Sequence, residues 1–208
     1  MTRRCRWRCI LGAPGIDVSP EKDNMREALI ALVTSHTSFD DMEREHTMST
    51  LDFLHKNKNC TSSDNLRGHI TASAWVLSPH RTETLLTHHR KLNRWLQLGG
   101  HIEGDATIQD AALREAVEES GIENIHLIED SIFDIDVHLI PARKEVAEHY
   151  HYDIRFLFQA ERKGFVISHE SNELAWVKLT DIGNFVRDES VLRMCQKSKA
   201  YSGAQGGN

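Results

Sequence analysis

Cysteine is scarce and scattered. Cys5, Cys9, Cys60 and Cys195 form no C-x-x-C pair, which argues against a zinc module or a disulfide framework and fits free thiols in a reducing cytoplasm. Long apolar runs are also missing, so no segment reads as a membrane span. Nor is there an excess of positive charge: 25 Lys and Arg against 31 Asp and Glu give a net charge of -6, and no global basic field points to nucleic acid or an anionic membrane. What is present is ordinary for a globular chain, with 39% hydrophobic and 27% charged residues in a length of 208 that suits one main domain with extensions. The opening "MTRRCRWRCILGAPG" is basic without an acid, as transit peptides are, but its apolar run is too short for a secretory signal.

Met25 opens the first good helical pattern, so residues 1–24 read as a disordered tail or a mis-assigned start. Helices are predicted over residues 20–35 and 40–56. Ser19 and Pro20 suit an N-cap and first turn, Leu29, Ile30, Leu32 and Val33 give an apolar face, and Met48, Leu51 and Leu54 recur at helical spacing. "KNKNCTSSDN" then reads as a polar linker. This divides the chain into a helical extension and linker over 25–65, a main domain over 66–200 and a flexible tail over 201–208. From "GHITASAWVLS" onward the period becomes that of a strand, with Ile70, Ala72, Ala74 and Val76 alternating against His69, Thr71, Ser73 and Trp75. Further β-prone runs surround a helix in "TIQDAALREAVEESG", started by a Thr107–Asp110 capping pair, and a last helix is expected over 188–198. The class is therefore α+β, a mixed sheet between helices.

The stretch "LREAVEES" sets Glu115, Glu118 and Glu119 on one helical face, where like charges repel by roughly 0.2–0.5 kcal/mol per pair. Gly121 is a natural left-handed cap, so these acids also occupy the last turns, where the helix dipole opposes anions. A solvated acidic face is the ordinary explanation of such a run. A divalent cation is the functional one, since three carboxylates provide the hard oxygen ligands that Mg²⁺ or Mn²⁺ uses alongside substrate phosphates. Gly99 and Gly100 upstream and Gly121 at the exit favour the cation.

Residues 100–122, "GHIEGDATIQDAALREAVEESGI", resemble the signature of the Nudix hydrolases: Gly, five residues, Glu, seven residues, Arg-Glu, an apolar residue, any residue, Glu-Glu, any residue, Gly and an apolar residue. Gly100, Arg114, Glu115, Ala116, Glu118, Glu119, Gly121 and Ile122 fall on it. The first signature Glu falls on Ala106, with Asp105 adjacent and Glu103 nearby. The resemblance implies a Nudix α/β/α sandwich with a mixed β-sheet, preceded here by the N-terminal helical extension. It also implies attack of water on phosphorus in a nucleoside diphosphate linked to another group X, with Mg²⁺ or Mn²⁺ as cofactor and a small-molecule nucleotide or nucleotide derivative as partner.

Carried over position by position, Glu115, Glu118 and Glu119 become the metal ligands, with the carbonyl of Gly100 as a further one. Glu118 or Glu119 is also the acceptor of the water's proton, and Arg114 orients a box glutamate. In this family the base sometimes comes from a later loop, where "SHESNELAW" offers Glu170 and Glu173. Among the 13 histidines, His69, His88, His89, His101, His149 and His151 are expected around the cleft. Alternation in "EHYHYDIRF" puts His149, His151 and Asp153 on one strand face and Tyr150 and Tyr152 on the other. Histidine and carboxylate on a common face suit a phosphate contact or a metal ion; His101, His151 and Asp153 are the residues assigned to substrate, although partly buried structural histidines are commoner than ligands. A rival reading, a weak or inactive Nudix-fold ligand sensor, rests on Ala106. Isopentenyl diphosphate isomerase, of related fold, needs a cysteine in the central sheet, and Cys60 and Cys195 lie outside it. For the N-terminal helices three roles stay open: a homodimer surface, a cover over the cleft, or packing on one side of the domain.

Overall fold

The computed structural model describes residues 20–90, 92–143, 146–166 and 171–201. Ser19 and the opening basic stretch lie outside them, as do residues 202–208 of the expected tail. Two helices come first, α1 (Pro20–Ser35) and α2 (Asp41–Lys56), so the start of α1 falls within the segment expected to be disordered or mis-assigned. Asp40 caps α2 by accepting from the Glu43 N–H at 2.8 Å. The strands are β1 (Gly68–Leu77), β2 (Glu83–His89), β3 (Arg94–Leu96), β4 (Leu98–His101), β5 (Ile125–Leu127), β6 (Asp134–Ile140), β7 (His149–Ala160) and β8 (Ser171–Lys178). The helix α3 (Ile108–Ser120) follows β4, and α4 (Ile182–Phe185) and α5 (Glu189–Ser198) come last among the described residues.

The eight strands form one mixed sheet. β1 and β7 lie side by side at its centre and run parallel over ten pairs, Gly68 with Tyr150 through Leu77 with Gln159. The other ladders are antiparallel. β1 is flanked on its other edge by β4 and, at its far end, β2, and β7 by β6 and then β5. The core divides between the two faces. Ile70, Ala72, Ala74, Val76, Ile154, Phe156 and Phe158 pack with Ile108, Ala111, Ala112 and Ala116 of α3 and with Leu29, Val33, Phe53 and Leu54 of α1 and α2. On the opposite face Trp75, Leu77, Leu86 and Leu157 pack with Val191 and Met194 of α5. This is the α/β/α sandwich. The alternation read from β1 is what separates its two core faces.

The N-terminal helices are built into the sandwich rather than appended to it. Phe53 stacks on Tyr152 of β7 with ring centroids 4.1 Å apart, and the buried Glu43 of α2 accepts from the Ile135 N–H of β6 at 3.1 Å. Packing on one side of the domain is thus the role their contacts show. Among the described residues no helix is long and apolar enough to cross a membrane.

Candidate active site

The geometry starts from two turns. Thr107 and Asp110 form a capping box at the start of α3, each side chain accepting from the other's backbone N–H at 3.1 Å. At the far end Gly121 has φ +66° and its N–H donates to the Val117 carbonyl at 2.7 Å, the left-handed cap expected of it. Between these caps α3 lies against β4. Gly99, at φ +157°, passes so close to Ser73 that a Cβ would overlap that residue. Its N–H then donates to Oε1 of Glu119 at 3.1 Å. At Gly100 a Cβ would fall 2.6 Å from the Glu115 carboxyl carbon, so the missing side chain is the space in which that carboxylate sits.

Arg114 ties the acids together. Its Nε and Nη2 donate to the two oxygens of Asp105 at 3.0 and 3.1 Å, its Nη1 to Glu115 at 3.0 Å and Glu118 at 3.2 Å, and its Nη2 also to the His101 carbonyl at 2.8 Å. The repulsion expected on this helix face is therefore partly offset within the protein. Burial opposes the charge on Asp105, yet Arg114 beside it holds that carboxyl below its ordinary range. Glu115 goes the other way: burial raises it, Arg114 only partly offsets that, and Glu118 and Glu103 add to the rise. Glu119 is buried, whereas the Glu118 side chain is 60% exposed.

A second group lies where β4, β1, β7 and β6 end together. His69 pairs with His151 across the parallel ladder and His138 pairs with His151 across the next one. The His69 ring is 4.8 Å from His101, 4.6 Å from His151 and 5.2 Å from His149. Burial, with His101 and His149 adding to it, pushes His69 down to about 4; burial and the neighbours His69, His138 and His101 push His151 down to about 3. Tyr150 and Tyr152 face the other way, as alternation required. His88 is elsewhere, with its ring 5.2 Å from Trp95.

The family model of the NUDIX domain matches residues 67–194. The chain belongs to the Nudix family. Among solved structures it is similar to a Nudix-family hydrolase from Clostridium perfringens, at 22% identity and TM-score 0.49, over 64% of this chain and 97% of that one. It is also similar to an Ap4A hydrolase of C. elegans, at 18% identity and TM-score 0.48 over 64% and 96% of the two chains. The NUDIX domain of Shewanella oneidensis NrtR, complexed with ADP ribose, matches at 15% identity and TM-score 0.46 over 64% and 86%. No curated protein matches the sequence.

Nudix enzymes typically use a divalent cation, and the residues here fit one. Glu115 is half-buried, lacks full compensation for its charge, and occupies a cradle that any Cβ at residue 100 would fill. The family's first box glutamate is Ala106 in this chain, but the neighbouring acid, Asp105, takes Arg114 in a two-pronged pair. Adjacency was the one sequence signal for it. Asp153 needs a correction. It is 2% exposed and its two oxygens already accept from Thr71, Ser73, Gln97 and Arg155, which fills a carboxylate's capacity and makes it a brace between strands rather than a substrate contact. Glu170 lies outside the described residues. Glu173, on β8 opposite His88, is exposed. As for the isomerase alternative, Cys60 precedes β1 and burial pushes its thiol up to about 11, the reverse of an activated nucleophile, while Cys195 lies on α5.

Proposed function

We propose that this Nudix chain is a Mg²⁺- or Mn²⁺-dependent pyrophosphohydrolase that splits the phosphoanhydride of a nucleoside diphosphate linked to a further group X. One observation carries the reading: Glu115, Glu118 and Glu119 share the face of α3 that meets Gly99 and Gly100, and Arg114 holds two of them in place. Glu115, Glu118, Glu119 and the Gly100 carbonyl would hold the cation. When bound, it neutralises the substrate phosphates and lowers the pKa of the attacking water.

The chain's own groups divide the remaining work. Glu119, buried and fixed by the Gly99 N–H, presents a carboxylate with little freedom to move. Glu118 is exposed, with an oxygen open to solvent that accepts the proton of the attacking water. Glu170, proposed from its loop in the sequence, is the rival acceptor. Arg114 is a positioning residue, since each of its three nitrogens already donates within the protein. His101, exposed at the end of β4, is the histidine we assign to the substrate phosphate.

The test is phosphate release over nucleoside triphosphates, dinucleoside polyphosphates, ADP-ribose, nucleotide sugars and NADH with either metal, using a coupled phosphatase to reveal monophosphate products. Glu118→Gln is the blank, because this exposed side chain makes one bond, to Arg114, and its loss leaves the fold intact. Turnover of one substrate class that vanishes in the blank supports the reading and names X. Turnover unchanged in Glu118→Gln refutes it.

A further inference from the structure

The histidine group has a feature that packing does not explain. His69 is 1% exposed, yet neither of its ring nitrogens has a hydrogen-bond partner. Buried polar groups are almost always satisfied, and a neutral imidazole carries both a donor and an acceptor. The ring is aimed at other imidazoles. One ligating atom each from His69, His149 and His151 can be chosen so that all lie within 4.8 Å of one another.

The arrangement of the other two rings identifies what the group is suited to hold. Nδ1 of His149 lies 2.8 Å from the Ala147 carbonyl, an acceptor that puts the proton on Nδ1 and leaves a lone pair on Nε2. That Nε2 is 3.3 Å from Nε2 of His151. Two imidazole nitrogens bound to one tetrahedral ion at ~2.0–2.1 Å stand roughly 3.3–3.4 Å apart, so this pair already has ligand spacing. A backbone carbonyl on the far nitrogen is the usual outer support of a metal-bound histidine. The strands fix the third member, because His69 is in register with His151 on the parallel β1–β7 ladder and His149 is two residues back on the same face.

We infer that His69, His149 and His151 form a three-imidazole site for a divalent transition cation of the zinc class, separate from the carboxylates of the box. Imidazole nitrogens suit Zn²⁺, Co²⁺, Ni²⁺ or Cu²⁺, whereas Mg²⁺ seeks oxygen. The two sites are neighbours: the carbonyl of His101 accepts from Arg114 of the box while its ring touches His69. This assignment does not depend on the chain's being a pyrophosphohydrolase.

The experiment uses full-length, untagged protein stripped with chelator and held in millimolar Mg²⁺, which occupies oxygen-donor sites. Co²⁺ is titrated while visible absorption is followed, and Zn²⁺ then competes for it. One equivalent of Co²⁺ with the intense bands of tetrahedral nitrogen coordination, displaced by Zn²⁺, is expected for wild type. His149→Ala, a change at a partly exposed strand end, should lose the bands. It should weaken Zn²⁺ binding by more than the roughly 10–100-fold that loss of a supporting hydrogen bond costs. Glu118→Gln should keep them. His69→Phe, which fills the buried space without a nitrogen, gives a second reading should His149→Ala unfold. Absence of bands in wild type, or their survival in a folded His149→Ala or His69→Phe, overturns the proposal; so does their loss in Glu118→Gln, which places the ion at the box.

Discussion

Glu43 offers a test of how firmly the N-terminal helices belong to the Nudix sandwich. Its carboxylate is fully buried and meets four groups from three parts of the chain. His36 Nε2 lies at 2.9 Å and the Phe39 N–H at 2.6 Å, the Ile135 N–H of β6 at 3.1 Å, and Lys197 Nζ of α5 at 2.5 Å. Glu43→Gln keeps the shape, but it removes the charge opposite Lys197 and turns an amide N–H toward a donor. Breaking one side of a buried ion pair costs about 3–5 kcal/mol. The lowered carboxyl pKa corresponds to a similar figure. Burial opposes ionisation, but His36, Lys197 and the Phe39 N–H together lower Glu43 from 4.5 to about 2, which corresponds to about 3 kcal/mol.

The sign follows from the lowered value. The unfolded chain takes up this proton at a higher pH than the folded one, so the stabilisation is complete above about pH 5 and is lost as pH falls toward 2. Denaturant unfolding of wild type and Glu43→Gln at neutral pH should differ by about 3 kcal/mol, and the gap should close in acid. A variant that loses less than about 1 kcal/mol at neutral pH, or a gap that persists at low pH, would refute the account.

Gly100→Ala should leave the chain folded but displace the Glu115 carboxylate from the position its Cβ would invade, lowering kcat on the order of 100-fold and raising the metal concentration needed for half-activity. Arg114→Lys cannot span Asp105, Glu115, Glu118 and the His101 carbonyl at once, so kcat should fall roughly 10–100-fold with melting temperature nearly unchanged. Asp105→Ala should show a loss of similar size, and adding Ala106→Glu should recover much of it in steady-state kinetics, whereas Ala106→Glu alone should change little. Trp75→Phe removes the indole N–H that donates to Ser198 Oγ at 2.7 Å between sheet and α5, and should cost about 1–3 kcal/mol in chemical unfolding without changing KM.

The elements that announced themselves in the sequence are those whose cause is local. Alternation marked β1 because its two sides enter two different cores, and the Thr107–Asp110 pair and Gly121 bounded α3 because caps are made within a few residues. The box glutamates were legible for the same reason: spacings of three and four set them on one face whatever the rest of the chain does. The short α4, four residues after β8, had no pattern long enough to read. The reading of Asp153 failed through partners that are distant in sequence. Strand alternation gave its face correctly, but Thr71 and Ser73 reach it from β1 only because the parallel ladder sets that register.

The same distance hid the buried charges behind it. Arg155 donates to Asp153, Asp134 and Asp136, and Arg193 and Lys197 of α5 converge on Asp134. Alternation in "DIDVHLI" puts Asp134, Asp136 and His138 on one side of β6, yet nothing local distinguishes that from a solvated edge. The chain thus carries a continuous polar stripe on one face of its central strands, running from the histidines at one end through Asp153 and Arg155 to α5. Within it the charged members pair with one another while His69 has no hydrogen-bond partner at all. A buried ring with both nitrogens unsatisfied, beside charged groups that all pair with one another, is hard to attribute to loose packing, since those charges show that this part of the fold supplies partners.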